Sequence, residues 1–168
     1  MSLADLLRPK WQHHDPEVRS KAVLNIQDTE LLSSILQNDP SPEVRKKAVS
    51  KVVRESVLEK IAVNDKCHEV AMAALKKICH EETAFLIAIN AKELSIRNAA
   101  IERIHNERFL EEILKSCHCL STCISAVQKI KNIELLEEIL LDKNLDAKIA
   151  IAVRDRIIHL KEYENINN

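Results

Sequence analysis

A period of 26 residues, running without a gap through most of the chain, limits what this sequence can fold into. Pro16-Glu17-Val18-Arg19 returns as Pro42-Glu43-Val44-Arg45, and the echo continues as Glu69-Val70 and Ile96-Arg97. A small position runs Ala22, Ala48, Ala74, Ala100, Ala126; branched ones run Ile26, Val52, Ile78, Ile104, Ile130 and Ile35, Ile61, Ile87, Ile113, Ile139. Self-similarity at this spacing is the signature of a stacked array, in which each unit buries its apolar side only against its neighbours.

Each period reads as two short helices. Asp15-Pro16-Glu17 supplies an N-cap, a proline at the first helical position and an acid favoured by the helix dipole. Val18, Ala22, Val23 and Ile26 then form an apolar stripe. Asp28 or Thr29 caps a second helix with Leu31, Leu32, Ile35 and Leu36 inward, and Asn38-Asp39-Pro40 ends it. The expectation is an all-α fold, an α-solenoid of five helix pairs over residues 13–143. Within it the pairs span 15–39, 41–65, 67–91, 93–117 and 119–143. Residues 1–12, with a short helix over Ser2 to Leu7 and Trp11 over the open edge, cap one end. Residues 144–168 cap the other. There a last first-type helix, Asp146 to Leu160, needs one inserted residue to bring Ile149 and Ile157 into register, and Arg154, Asp155, Arg156, Lys161 and Glu162 suit a solvated end. The whole is expected to be one domain.

Composition removes several functions. The 168 residues include no glycine, which excludes glycine-rich phosphate loops, dinucleotide fingerprints and nucleophile elbows. Two Phe, one Trp and one Tyr are too few for platforms that stack unpaired bases, and a net charge of −1 gives no field for a polyanion. No apolar run is long enough to span a membrane. Five cysteines at irregular spacing suit reduced thiols and a cytoplasmic location.

Asp-Pro-Glu-Val-Arg followed by Ala-Val resembles bacterial HEAT-like repeats, particularly the short kind of phycobilisome-lyase-like proteins. Arg8 to Arg19 is also similar to the amino-terminal HEAT region of a family of large, uncharacterised bacterial proteins. A weaker resemblance is to the leucine-rich variant repeat. The HEAT-like resemblance implies a superhelix with its second helices on the concave side, and an arginine that pairs with an acid of the same or a neighbouring repeat. That arginine position here runs Arg19, Arg45, Ala71, Arg97, Cys123, a ladder broken in repeats three and five.

Charge segregates between the two helix types. The first helices are net positive, with Lys46, Lys47, Lys76, Lys77 and Lys129 expected on an outer basic face. The second are net negative, with Glu30, Glu59, Glu111, Glu112, Glu134, Glu137 and Glu138 on the concave side. In repeat three, register places Thr83, Ala84, Ile87 and Ala88 inward and leaves Phe85, Leu86 and Ile89 outward, joined by Val63 of repeat two. Acid-rimmed apolar residues of this kind suit a groove for a peptide or helix. Rotation of that helix, carrying Phe85 and Leu86 into the core, is the competing expectation.

Cys117, His118, Cys119 and Cys123 are the chemistry-bearing cluster. Zn²⁺ or an iron–sulfur cluster would suit such ligands, but paired Cys-x-x-Cys spacing is missing, and buried thiols are the expectation. Cys79-His80 lacks the spacing of a dyad, because consecutive helical residues do not face each other. The function expected is therefore a non-catalytic, cofactor-free protein-interaction scaffold, a monomer or weak homodimer. Its partner would be a protein or peptide of basic and apolar character, with no nucleic acid and no membrane. The alternatives are nucleic-acid binding, or a lyase-like or metal-binding role through Cys117 or Cys119.

Overall fold

The computed structural model describes residues 8–167, and their regular structure is helical throughout. The chain divides into two compact units, Met1–Cys79 and His80–Asn168. The first holds a 3-10 turn, Lys10–Gln12, then α1 (Pro16–Val23), α2 (Thr29–Asn38), α3 (Pro42–Lys51), α4 (Glu55–Asn64) and α5 (His68–Lys76). The second holds α6 (Glu81–Asn90), α7 (Leu94–Ile101), α8 (Glu107–Ser116), α9 (Leu120–Lys129), α10 (Ile133–Ile139) and α11 (Ala147–Asn167). The expected helix over Ser2 to Leu7 lies outside the described residues. None of the described helices is long and apolar enough to cross a membrane.

The period sets the helix starts. First-type helices begin at Pro16, Pro42, His68, Leu94 and Leu120, second-type helices at Thr29, Glu55, Glu81, Glu107 and Ile133. The final helix starts at Ala147, one residue late as the register required, but runs on to Asn167 rather than stopping near Leu160. Caps act locally: Asp15 accepts the Glu17 N–H, Asp28 those of Glu30 and Leu31, and Asn132 that of Leu135.

Helix ends explain the missing glycine. Asp39, Asp65, Ala91 and Cys117 each follow a second-type helix in extended backbone, while their N–H still bonds the carbonyl four residues back. No described residue has positive φ, so the left-handed stop that favours glycine is not used.

Packing follows the expected stripes inside each unit. In the first, α1 packs on α3, α3 on α5, and α2 and α4 against the first-type helices that follow them. In the second, α7 packs on α9, α9 on α11, α6 on α8, and α10 against α11. Ala48, Ala74, Ala100 and Ala126 have no exposed surface, which lets the backbones approach closely. Ala22 and Ile26, in the first repeat, are only half-buried. Trp11 is half-buried too, in a turn packed on α1.

Two periodic sets of polar bonds tie successive repeats. The Lys77 ammonium lies 3.0, 2.9 and 2.6 Å from the carbonyls of Val49, Ser50 and Val52, at the end of α3. Lys51 reaches the Leu24 carbonyl at 2.9 Å, Lys129 those of Ile101 and Glu102, and Arg156 Nε that of Ile130. Each cation neutralises the negative end of the preceding first-type helix. This corrects two expectations: Lys77 and Lys129 belong to these caps, not to an open basic face, and Arg156 is half-buried rather than part of a solvated end. Lys46, Lys47 and Lys76 are exposed as expected. In the second set Glu55 accepts the Cys79 N–H, Glu81 that of Asn106, and Glu107 those of Lys131 and Asn132. A glutamate opening one second-type helix thus caps the approach to the next.

Candidate functional site

In the second unit α6 keeps the register its apolar residues dictate. Ala84, Ile87 and Ala88 are buried, and the helix has not rotated to hide its outer residues. Thr83, expected inward, is only half-buried. Leu86 is 38% exposed, and Phe85 and Ile89 are half-buried. Phe85 lies on Phe109 of α8, ring centroids 5.6 Å apart and planes 28° from parallel, an offset arrangement that rings favour. Phe109 was missed as a site residue because its position in the repeat is an inward one, held by Thr83 and Leu135 in the flanking repeats.

Acids stand on the second-type helices that follow, α8 and α10. Glu112 and Glu138 are exposed, as are Glu134 and Glu137, whereas Glu111 is half-buried. Two of them have cation partners, Glu111 with Lys115 at 2.6 Å and Glu137 with Lys161 at 2.8 Å. In the first unit Val63 and Glu59 are half-buried on α4, and exposed Glu30 meets Arg54 at 3.3 Å.

The arginine position has its own geometry. Arg19 Nε and Nη2 donate to the two Asp39 carboxylate oxygens at 2.8 and 2.9 Å, while Nη1 takes the carbonyls of His13 and His14. Arg45 repeats this with Asp65, at 2.8 and 2.7 Å, and with the carbonyls of Asp39 and Pro40. Hydrogen bonds donated to the partner carboxylates hold both guanidinium groups yet more firmly charged. Arg97 also takes two carbonyls, Ala91 and Lys92, but Cys117 stands where its acid would. It turns instead to Thr122 Oγ1 at 2.9 Å and Cys119 Sγ at 3.4 Å. In repeat three both members change together, to Ala71 and Ala91, and both are buried.

The cysteines of this region differ in their surroundings. Cys119 is the N-cap of α9 and faces Arg97, while Cys123 is 1% exposed with its Sγ 3.2 Å from the Cys117 carbonyl. Buried thiols were expected, but within this cluster only Cys123 is buried, while Cys117 and Cys119 are half-buried. Hydrogen bonds from Thr122, then the charge of Arg97, lower the Cys119 pKa; burial pushes that of Cys123 up to about 12. His118 is exposed. No group of three or more His, Cys, Asp or Glu among the described residues is arranged to hold a metal ion. Cys79, the other thiol considered for chemistry, is exposed and uses its backbone N–H on Glu55.

A cavity of about 530 Å³ opens between α8, α10 and the start of α11. Cys117, His118 and Cys123 form one side, and the acidic residues Glu111, Glu138, Asp142 and Asp146 are also among its lining. Glu111 and Glu138 were expected at a binding surface; Asp142 and Asp146 were not, because the loop after α10 departs from the repeat. Comparison with family models, with curated proteins and with solved structures finds no match for this chain.

Proposed function

We propose that this chain is a HEAT-like α-solenoid that serves as a non-catalytic cytoplasmic scaffold. In this reading it holds a segment of a partner protein against the second-helix surface of residues 80–168. The observation that carries the reading is the exposed Leu86 beside the Phe85–Phe109 stack, with Glu112 and Glu138 exposed on the following second-type helices, α8 and α10. Aromatic anchors with a polar surround are how interface hot spots are built. The acids favour a basic segment, and the five free thiols suit a reducing compartment.

Affinity capture from the native host, with the tagged chain and its Leu86→Ser and Glu138→Lys variants, tests the reading. Both positions are exposed, so helical circular dichroism and its melt should be unchanged while partner recovery falls at least tenfold. Recovery unaffected by either substitution would refute the proposal. The same experiment with Phe85→Ser is less decisive, because that ring also packs on Phe109.

A further inference from the structure

We propose that the cavity between α8, α10 and α11 receives the guanidinium of an arginine side chain presented by a partner segment. The inference rests on the scaffold reading and supplies the chemistry of the partner's anchor.

The cavity lies where three other repeats place a guanidinium of their own. Arg19, Arg45 and Arg97 each send Nη1 to the carbonyls six and five residues earlier. For Cys123, the fifth member of that series, those residues are Cys117 and His118, and both line the cavity. The Cys123 thiol reaches only the first carbonyl, at 3.2 Å. A side chain of one sulfur cannot fill the space of a five-donor fork.

The acid of the pair is also present, one residue early. Asp39 and Asp65 donate their N–H to the carbonyls of Ile35 and Ile61, four residues back. In repeat five the equivalent carbonyl, Ile139, takes the N–H of Asp142, three residues on, because the last turn of α10 tightens. Asp142 then makes the same turn contact as its counterparts. Its Oδ1 accepts the Asn144 N–H at 2.9 Å, as Asp39 accepts that of Ser41 and Asp65 that of Cys67. Asp39 and Asp65 each hold a guanidinium; Asp142 holds none among the described residues. It lines the cavity instead.

Charge argues for the same occupant. Four acidic residues line the cavity against one lysine, Lys115, which pairs with Glu111 and lies within the field of Asp142. A lysine ammonium, with its donors radiating from one point, matches the carbonyl-and-carboxylate arrangement less well than a planar fork does. At about 530 Å³ the space admits an arginine side chain and the backbone next to it.

Fluorescence anisotropy with the whole chain tests this. The probes are a labelled pentapeptide with one central arginine between leucines, and its lysine and citrulline counterparts. The arginine peptide should bind at least tenfold more tightly than citrulline, which keeps the shape without the charge, and several-fold more tightly than lysine. Asp142→Asn should remove at least tenfold of that affinity. Cys123→Arg should abolish it by filling the cavity from within. Should that variant misfold, Asp142→Asn, at an exposed position, still decides. Equal affinity for the three peptides, no binding up to about 1 mM (a standard free energy of only about −4 kcal/mol), or insensitivity to Asp142→Asn would each overturn the proposal. So would a dimer in sedimentation equilibrium that Asp142→Asn disperses, since a second copy would then be the occupant. Native-host capture that needs Leu86 but tolerates Asp142→Asn would leave the scaffold reading standing and remove only this one.

Discussion

Arg45 and Asp65 grip each other through two parallel hydrogen bonds of 2.8 and 2.7 Å, and 20 residues of chain separate them. Both side chains are nearly out of solvent, at 12% and 4% exposure. Such a pair is costly to half-remove and much less costly to remove whole.

Repeat three has made the whole replacement, with Ala71 and Ala91 buried at the corresponding positions. Asp65→Ala alone should therefore destabilise the chain by about 3 kcal/mol, leaving the guanidinium without its acid. Adding Arg45→Ala should recover at least about 1 kcal/mol of that loss. Urea unfolding of the two singles and the double measures the coupling. Strictly additive losses would show that the pair does not act as a unit.

Acid should expose the role of Glu81. Its carboxyl is held below the usual range, first by the Asn106 N–H, with His105 Nδ1 3.3 Å away contributing less. A lowered folded-state pKa gives stability that is present above the unfolded value of about 4.3 and is lost as pH falls through the folded one. Glu81→Gln, which keeps an acceptor but not its charge, should cost about 1 kcal/mol at neutral pH. That gap should close as pH is lowered below the ordinary carboxylate range. A gap unchanged at acid pH would mean that charge at Glu81 contributes nothing.

Thiol labelling should separate two cysteines that sit four residues apart. Cys119 is polarised by Thr122 and Arg97, whereas Cys123 is buried with its pKa pushed up to about 12. Mapped alkylation by iodoacetamide near neutral pH should modify Cys119 at least tenfold faster, with Cys123 reacting only after denaturation. Arg97→Ala should slow Cys119. Comparable rates at the two sites in the folded chain would contradict the geometry.

Helix positions were readable from the sequence because proline, capping acids and apolar spacing all act within one turn of where they stand. Pro42 begins α3 and Asp28 caps α2 for reasons confined to a few neighbours. The roles of Lys77 and Glu107 were not readable in that way. Each acts on backbone groups about 25 residues distant, and a side chain's charge does not announce which carbonyl or N–H it meets. The trace was there in retrospect: Lys51, Lys77 and Lys129 share one place in the period, as do Glu55, Glu81 and Glu107. Of the acids expected on the second-type helices, Glu112 and Glu138 are exposed. Asp142 escaped notice because its equivalence to Asp39 depends on a turn tightened by one residue, and strict spacing points to Lys143.

Every long tie described above, from the arginine forks to the lysine caps, joins residues no more than 28 apart. Nothing in the scheme waits for a distant part of the chain to be made. During synthesis, a lysine such as Lys51 or Lys129 emerges to find its carbonyls already made, so that each unit can settle from its amino end without waiting for later segments.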